Sequence, residues 1–223
     1  MTRYIQRHSL FKRVVHGTVA VSCFFLIVSG FVVFVPAIAQ AVGVGFVNFL
    51  RLLHRIFAVT FIGAPLVGLV LFPKGFMHIV KNLTAKWDDD DKEFMKKFVP
   101  YLFMPKKMHM PPQHEVKSGQ RLADGALLLA SLAIAISGIV LWAGSYVSPQ
   151  VFQVALLTHD IAFFLIAIIM LAHVFLGAGI FQPYRGLVTL MFGNGQVAEG
   201  PARYHWGHWA EEELAKGTNV IEK

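Results

Sequence analysis

Apolar residues are gathered into four long uninterrupted runs rather than spread with a strand or helix period. Val14–Val35, Gly125–Val147 and Ile161–Tyr184 carry no charged residue. Ile56–Phe72 is also uncharged and extends back through Leu52. The fourth run begins nearer Gln153 if its apolar lead-in is counted. A helix needs about 20 apolar residues to cross a bilayer, so each run predicts one spanning helix, over about 13–36, 52–73, 119–147 and 153–183. Pro36, Pro73, Pro149 and Pro183 stand at run ends, where proline starts or stops helices, and Pro65 should kink the second. The first run is too long for a signal-peptide core and is expected to be a retained helix. Polar sequence is confined to a loop at about 74–118 and a tail at 193–223. The expected architecture is an all-α integral membrane four-helix bundle over residues 1–192, with a cytoplasmic C-terminal tail.

Composition agrees. Of 223 residues, 56% are hydrophobic and 15% charged, too apolar for one soluble core and the opposite of a disordered chain. The net charge of +7 has no nucleic-acid pattern behind it; the basic residues lie in the loops of a membrane chain. Eighteen of the 20 Lys and Arg fall before the first run, between the second and third, or after the fourth; Arg51 and Arg55 are the other two. The positive-inside rule therefore places both termini and the middle loop in the cytoplasm. The run Asp88–Asp91 lacks the spaced oxygens and glycine of a calcium loop and reads as a solvated helix start or turn. Tyr204, Trp206 and Trp209 read as headgroup-level anchors of an interfacial tail. Cys23 is alone, which excludes an intrachain disulfide and an all-Cys metal site, and reads as a small buried hydrophobe.

Four of the ten histidines, His16, His54, His159 and His173, lie in or beside the apolar runs, where an ionisable side chain needs a reason. Following the chain across the membrane puts His54 and His159 near the outer level and His16 and His173 near the inner one. On the fourth run, 14 residues rise about 21 Å and turn about 1400°, close to four full turns, so His159 and His173 share a face. Two levels of paired imidazoles from neighbouring helices are an axial cage for two haem irons. No CxxCH motif is present, so the haems would be b type. Gly17, Gly30, Gly63, Gly68, Gly138, Gly177 and Gly179 would let a flat macrocycle approach the backbone. Arg13 and Arg55, beside proposed ligands, would suit propionates. A di-metal centre would want carboxylates, and the runs offer only Asp124 and Asp160 near their ends. A haem-free anchor or transporter is the alternative of another class. With no hydrophilic domain large enough for a substrate site, the electron donor must be another subunit, and a lipid-soluble quinone is the natural acceptor. The segment Gln113–Arg121 offers hydrogen-bond donors at the cytoplasmic edge.

The segments KRVVHG (Lys12–Gly17), RLLHR (Arg51–Arg55), KSGQR (Lys117–Arg121), the pair LLTHD and LAHVF within Leu156–Phe175, and the tail ARYHWGHWAEE (Ala202–Glu212) resemble the cytochrome b gamma subunit of membrane-bound formate dehydrogenase. The similarity covers most of the chain. It implies an inner-membrane (cytoplasmic membrane) location in a bacterial respiratory chain and two haem b, with His16 and His173 as inner and His54 and His159 as outer axial ligands to iron. It implies electrons arriving from an iron–sulfur beta subunit on the outer side, itself fed by a molybdenum or tungsten alpha subunit, within a higher-order oligomer of the oxidoreductase complex. Quinone would be reduced near Ser118, Gly119, Gln120 and His173; the family often has Asn where this chain has Ser118. The formate site would lie on another subunit. Cytochromes b of nickel–iron hydrogenases and thiosulfate reductases share the four-helix core.

Overall fold

The computed structural model describes residues 2–177, 179 and 184–223. Four of its helices are long and apolar enough to cross a membrane: α1 (Leu10–Phe34), α3 (Val44–Leu71), α6 (Ser118–Trp142) and α7 (Pro149–Gly177), with mean hydropathy of 1.7–2.4. The protein is all-α in its membrane part, as the four runs require. The last stretch of the predicted fourth span, residues 178 and 180–183 with Pro183, lies outside the described residues.

Local chemistry explains the boundaries. Ser9 Oγ accepts from the Lys12 amide at 3.3 Å and caps α1. The short helix α2 (Pro36–Val42) opens on its proline, and Gly43, at φ +82°, turns the chain directly into α3, which therefore begins before Leu52. Pro65 lies inside α3 as expected. A 3₁₀ turn at Gly144–Tyr146 ends the third span early. Ser148 Oγ then accepts from the Val151 amide, and Pro149 occupies the first helical position of α7.

Two compact units emerge. One comprises residues 14–76 and 130–168 and gathers stretches of all four long helices. Its only Lys or Arg are Arg51, Arg55 and Lys74. The helices pack there through aromatic contacts: Phe25 stacks on Phe57 at 4.4 Å, and Phe34 meets Phe164 edge-on at 5.2 Å.

The other unit joins residues 1–13, 77–129 and 169–223. These are the charge-bearing stretches, and they fold together rather than remaining loop and tail. Strand β1 (Arg3–Gln6) lies between β2 (Gln196–Ala198) and β3 (Val220–Glu222), antiparallel to both, with Ile5 opposite Val197 and Val220. Helices α9 (Glu199–His205) and α10 (Gly207–Lys216) cover the sheet. A core of Ile5, Leu190, Val197, Ala202, Trp206, Trp209 and Ala210 results. This corrects the headgroup-anchor reading. Trp206 and Trp209 are buried in protein, and only Tyr204 is exposed. Paired β-strands satisfy the backbone of both chain ends, and two indoles supply the apolar area that such short elements need.

The middle segment is also structured, by α4 (Pro73–Thr84) and α5 (Asp89–Phe103). Asp88 caps α5 in a reciprocal capping box: its carboxylate accepts from the Asp91 amide at 2.8 Å, and Asp91 accepts from the Asp88 amide at 3.2 Å. The acidic run is thus a helix start, one of the two forms read from sequence. It is not wholly solvated, because Asp91 is 1% exposed and ion-paired with Arg121 at 2.9 Å.

Candidate haem site

In the unit of residues 14–76 and 130–168, His54 of α3 and His159 of α7 face each other with ring centroids 6.3 Å apart. Two metal–nitrogen bonds of about 2 Å each, plus about 1 Å from each nitrogen to its ring centre, set centroids about 6 Å apart across one metal ion. The observed separation fits one iron held between two imidazoles. The rings are tilted by 55° to one another.

Each ring is met by a buried serine. Ser29 Oγ of α1 lies 2.8 Å from His54 Nδ1, and Ser137 Oγ of α6 lies 3.2 Å from His159 Nδ1. A glycine follows each serine. A Cβ on Gly30 would touch His54 Cε1 at 3.6 Å, and one on Gly138 would press on His159 Cε1 at 3.3 Å. Two of the glycines picked out from sequence are therefore the residues on which the imidazoles rest. The sequence signal for these serines is a Ser-Gly pair in each of two apolar runs, Ser29-Gly30 and Ser137-Gly138.

His16 on α1 and His173 on α7 belong to the two different units, and their pairing stands on helix depth alone. In the charged unit, His173 is in electrostatic contact with Asp124, whose carboxylate accepts from Gln120 Nε2 at 3.2 Å.

Of the arginines expected to meet propionates, Arg55 lies over the Trp142 ring at 5.6 Å, and Arg13 donates to the Gly193 carbonyl. The expected quinone contacts divide. Ser118 is 0% exposed, its hydroxyl directed at Asp91 Oδ1 (2.7 Å) and Gln113 Oε1 (2.8 Å). It locks the start of α6 and presents no free group. Gln120 is exposed, and Gly119 sits against Phe94 and Met95.

Lys117, just before α6, has its ammonium 3.0 Å from His205 Nδ1 and close to the rings of Tyr184 and Trp206. Burial, and then the charge of Arg7, bring its pKa down to about 7. Arg7 lies 3.9 Å from the centre of Trp206 and 4.5 Å from that of Trp209, and burial lowers it to about 10. Nearby, the rings of His114 and His208 stack at 4.8 Å, each bonded to a carboxylate of the acidic run: His114 to Asp88 at 2.9 Å and His208 to Asp90 at 2.8 Å.

Four membrane-length helices, two of which bring His54 and His159 face to face, define the class: a multi-pass membrane protein. The sequence profile of the prokaryotic cytochrome b561 family matches residues 7–194, and the chain belongs to that family of membrane haem b electron-transfer proteins. A search of curated proteins finds no match.

Proposed function

We propose that this chain is the di-haem b anchor subunit of a respiratory oxidoreductase complex, of the formate dehydrogenase gamma type. In this reading it accepts electrons from an iron–sulfur subunit outside the membrane and delivers them to quinone near the cytoplasmic face. The observation that carries it is the 6.3 Å approach of His54 and His159; the resemblance of the histidine segments supplies the donor.

Bound haem b would supply a one-electron iron centre at each level. His54 and His159 would hold the outer iron, and His16 and His173 the inner one. Gly30 and Gly138 keep the space beside the outer ligands open. Arg13 and Arg55 carry positive charge at the ends of the spans for the propionates. At the inner end Gln120 and Gly119 would meet the quinone, and the neighbouring polar segment would admit protons from the cytoplasm. Electrons that start outside and protons that start inside build a membrane potential, each charge working against about 2.3 kcal/mol per 100 mV. Both termini would be cytoplasmic, in a bacterial inner membrane.

The test is spectral and compositional. Dithionite-reduced membranes should show a b-type band. His54→Ala or His159→Ala should each remove the same haem, and His16→Ala or His173→Ala the other. If His54→Ala and His159→Ala remove different haems, the outer pairing is wrong. Subunits that copurify decide the donor: an iron–sulfur protein with a molybdenum or tungsten partner supports formate dehydrogenase, and a nickel–iron subunit replaces it with hydrogenase.

A further inference from the structure

The two serines belong to a repeated structure. Aligned on their first residues, α1 and α6 match Arg13 with Arg121, Gly17 with Gly125, Ser29 with Ser137 and Gly30 with Gly138, all at one constant separation along the chain. Aligned in the same way, α3 and α7 match His54 with His159, Leu52 with Leu157, Ile56 with Ile161 and Leu66 with Leu171. The chain thus carries one two-helix hairpin twice, and the outer histidines and the serines that touch them are its equivalent positions.

The hydroxyl chemistry at the two positions is also the same. Ser29 Oγ lies 2.6 Å from the Phe25 carbonyl, and Ser137 Oγ lies 2.7 Å from the Ala133 carbonyl, four residues back in each helix. A hydroxyl has one proton. Given to a carbonyl that can only accept, that proton leaves Oγ to accept from the imidazole. The ring nitrogen at Nδ1 must then be the one that carries hydrogen. Protonated Nδ1 leaves the lone pair on Nε2.

We propose that Ser29 and Ser137 are positioning residues for the outer haem. Each holds its histidine in the Nδ1–H tautomer, aims Nε2 at the iron, and makes the imidazole a more basic ligand by accepting its hydrogen bond. The inference rests on His54 and His159 being the axial pair. Partners of this kind orient metal-bound histidines and raise their basicity. A more basic ligand favours ferric iron, so the two serines hold the outer haem at a lower potential than bare histidines would, and both act on one haem.

The experiment is redox potentiometry on membranes holding the full chain, with ferric electron paramagnetic resonance as second readout. Ser29→Ala and Ser137→Ala should each keep both haems and raise the midpoint of one haem, the same one, by several-fold to tenfold in its reduction equilibrium; tenfold reads as about 59 mV for one electron. That haem should be the one removed by His54→Ala, and its low-spin ferric signal should shift with the potential. Ser29→Thr and Ser137→Thr, which keep the hydroxyl, should return the wild-type midpoint. Should the alanine variants lose the outer haem altogether, its retention in the threonine variants still supports the role, and its loss from both overturns it. Unchanged midpoints in the alanine variants, or shifts on two different haems, also overturn it. Failure of the axial reading looks different: His54→Ala and His159→Ala would then leave both haems in place whatever the serines do.

Discussion

Asp91 and Arg121 form a charged pair that is 1% and 4% exposed, with Ser118 bonded to the same carboxylate and Trp87 facing the guanidinium at 5.6 Å. Neither charge reaches water, so each depends on the other. Asp91→Ala strands Arg121 and should destabilise the fold by about 3–5 kcal/mol, seen as a lowered detergent-denaturation midpoint. The double variant Asp91→Ala with Arg121→Met should recover most of the loss. Gly138 makes a second single-residue case. A methyl group there presses on His159 at 3.3 Å from Cε1, so Gly138→Ala should lower haem content at the outer level, measured as pyridine haemochrome per protein. Gly45, with open space where a methyl group would sit, should tolerate alanine.

Helix ends show how the elements were decided. α5 starts where Asp88 can satisfy the Asp91 amide, and the acidic first turn complements the positive end of the helix dipole. Asp88→Ala should cost about 1 kcal/mol of local stability, read as faster amide exchange over Asp89–Lys92. The Asp91 amide, and then the His114 ring, hold the Asp88 carboxyl below its usual value. Its contribution is present above the unfolded carboxylate range and fades as pH falls through the lowered value. In the four long helices caps such as Ser9 and Ser148 set only where the helix begins; between the ends, every backbone group in lipid must bond within the helix.

The whole molecule divides its chemistry between two units. One holds the facing outer histidines, and the other holds nearly all the charge and its own small core. Lys117 gives that second unit a pH signature. Its folded pKa, about 7, lies below the ordinary 10.5. Between these values the unfolded chain binds the extra proton, so stability rises with pH across that window and burial penalises the fold in full below about pH 7. Lys117→Met should flatten this slope, measured by thermal unfolding of the solubilised protein from pH 7 to 10.

Four uncharged runs were enough to specify a membrane protein, because no soluble core could bury them and no charge opposed their insertion. Depth along each run was enough to place His54 and His159 at one level, since a straight helix rises by a constant amount per residue. What only folding decided is everything that joins distant segments. Ile5 meets Val197 and Val220 through strands of three or four residues, too short to carry a period. Trp206 and Trp209 look like interface anchors in a polar tail, and become core only because that tail folds back onto the first residues of the chain. Ser29 and Ser137 look like ordinary small residues until α3 and α7 bring an imidazole to each. Hydropathy is a property of one segment, legible along the chain, whereas a contact needs two segments and is settled only by packing.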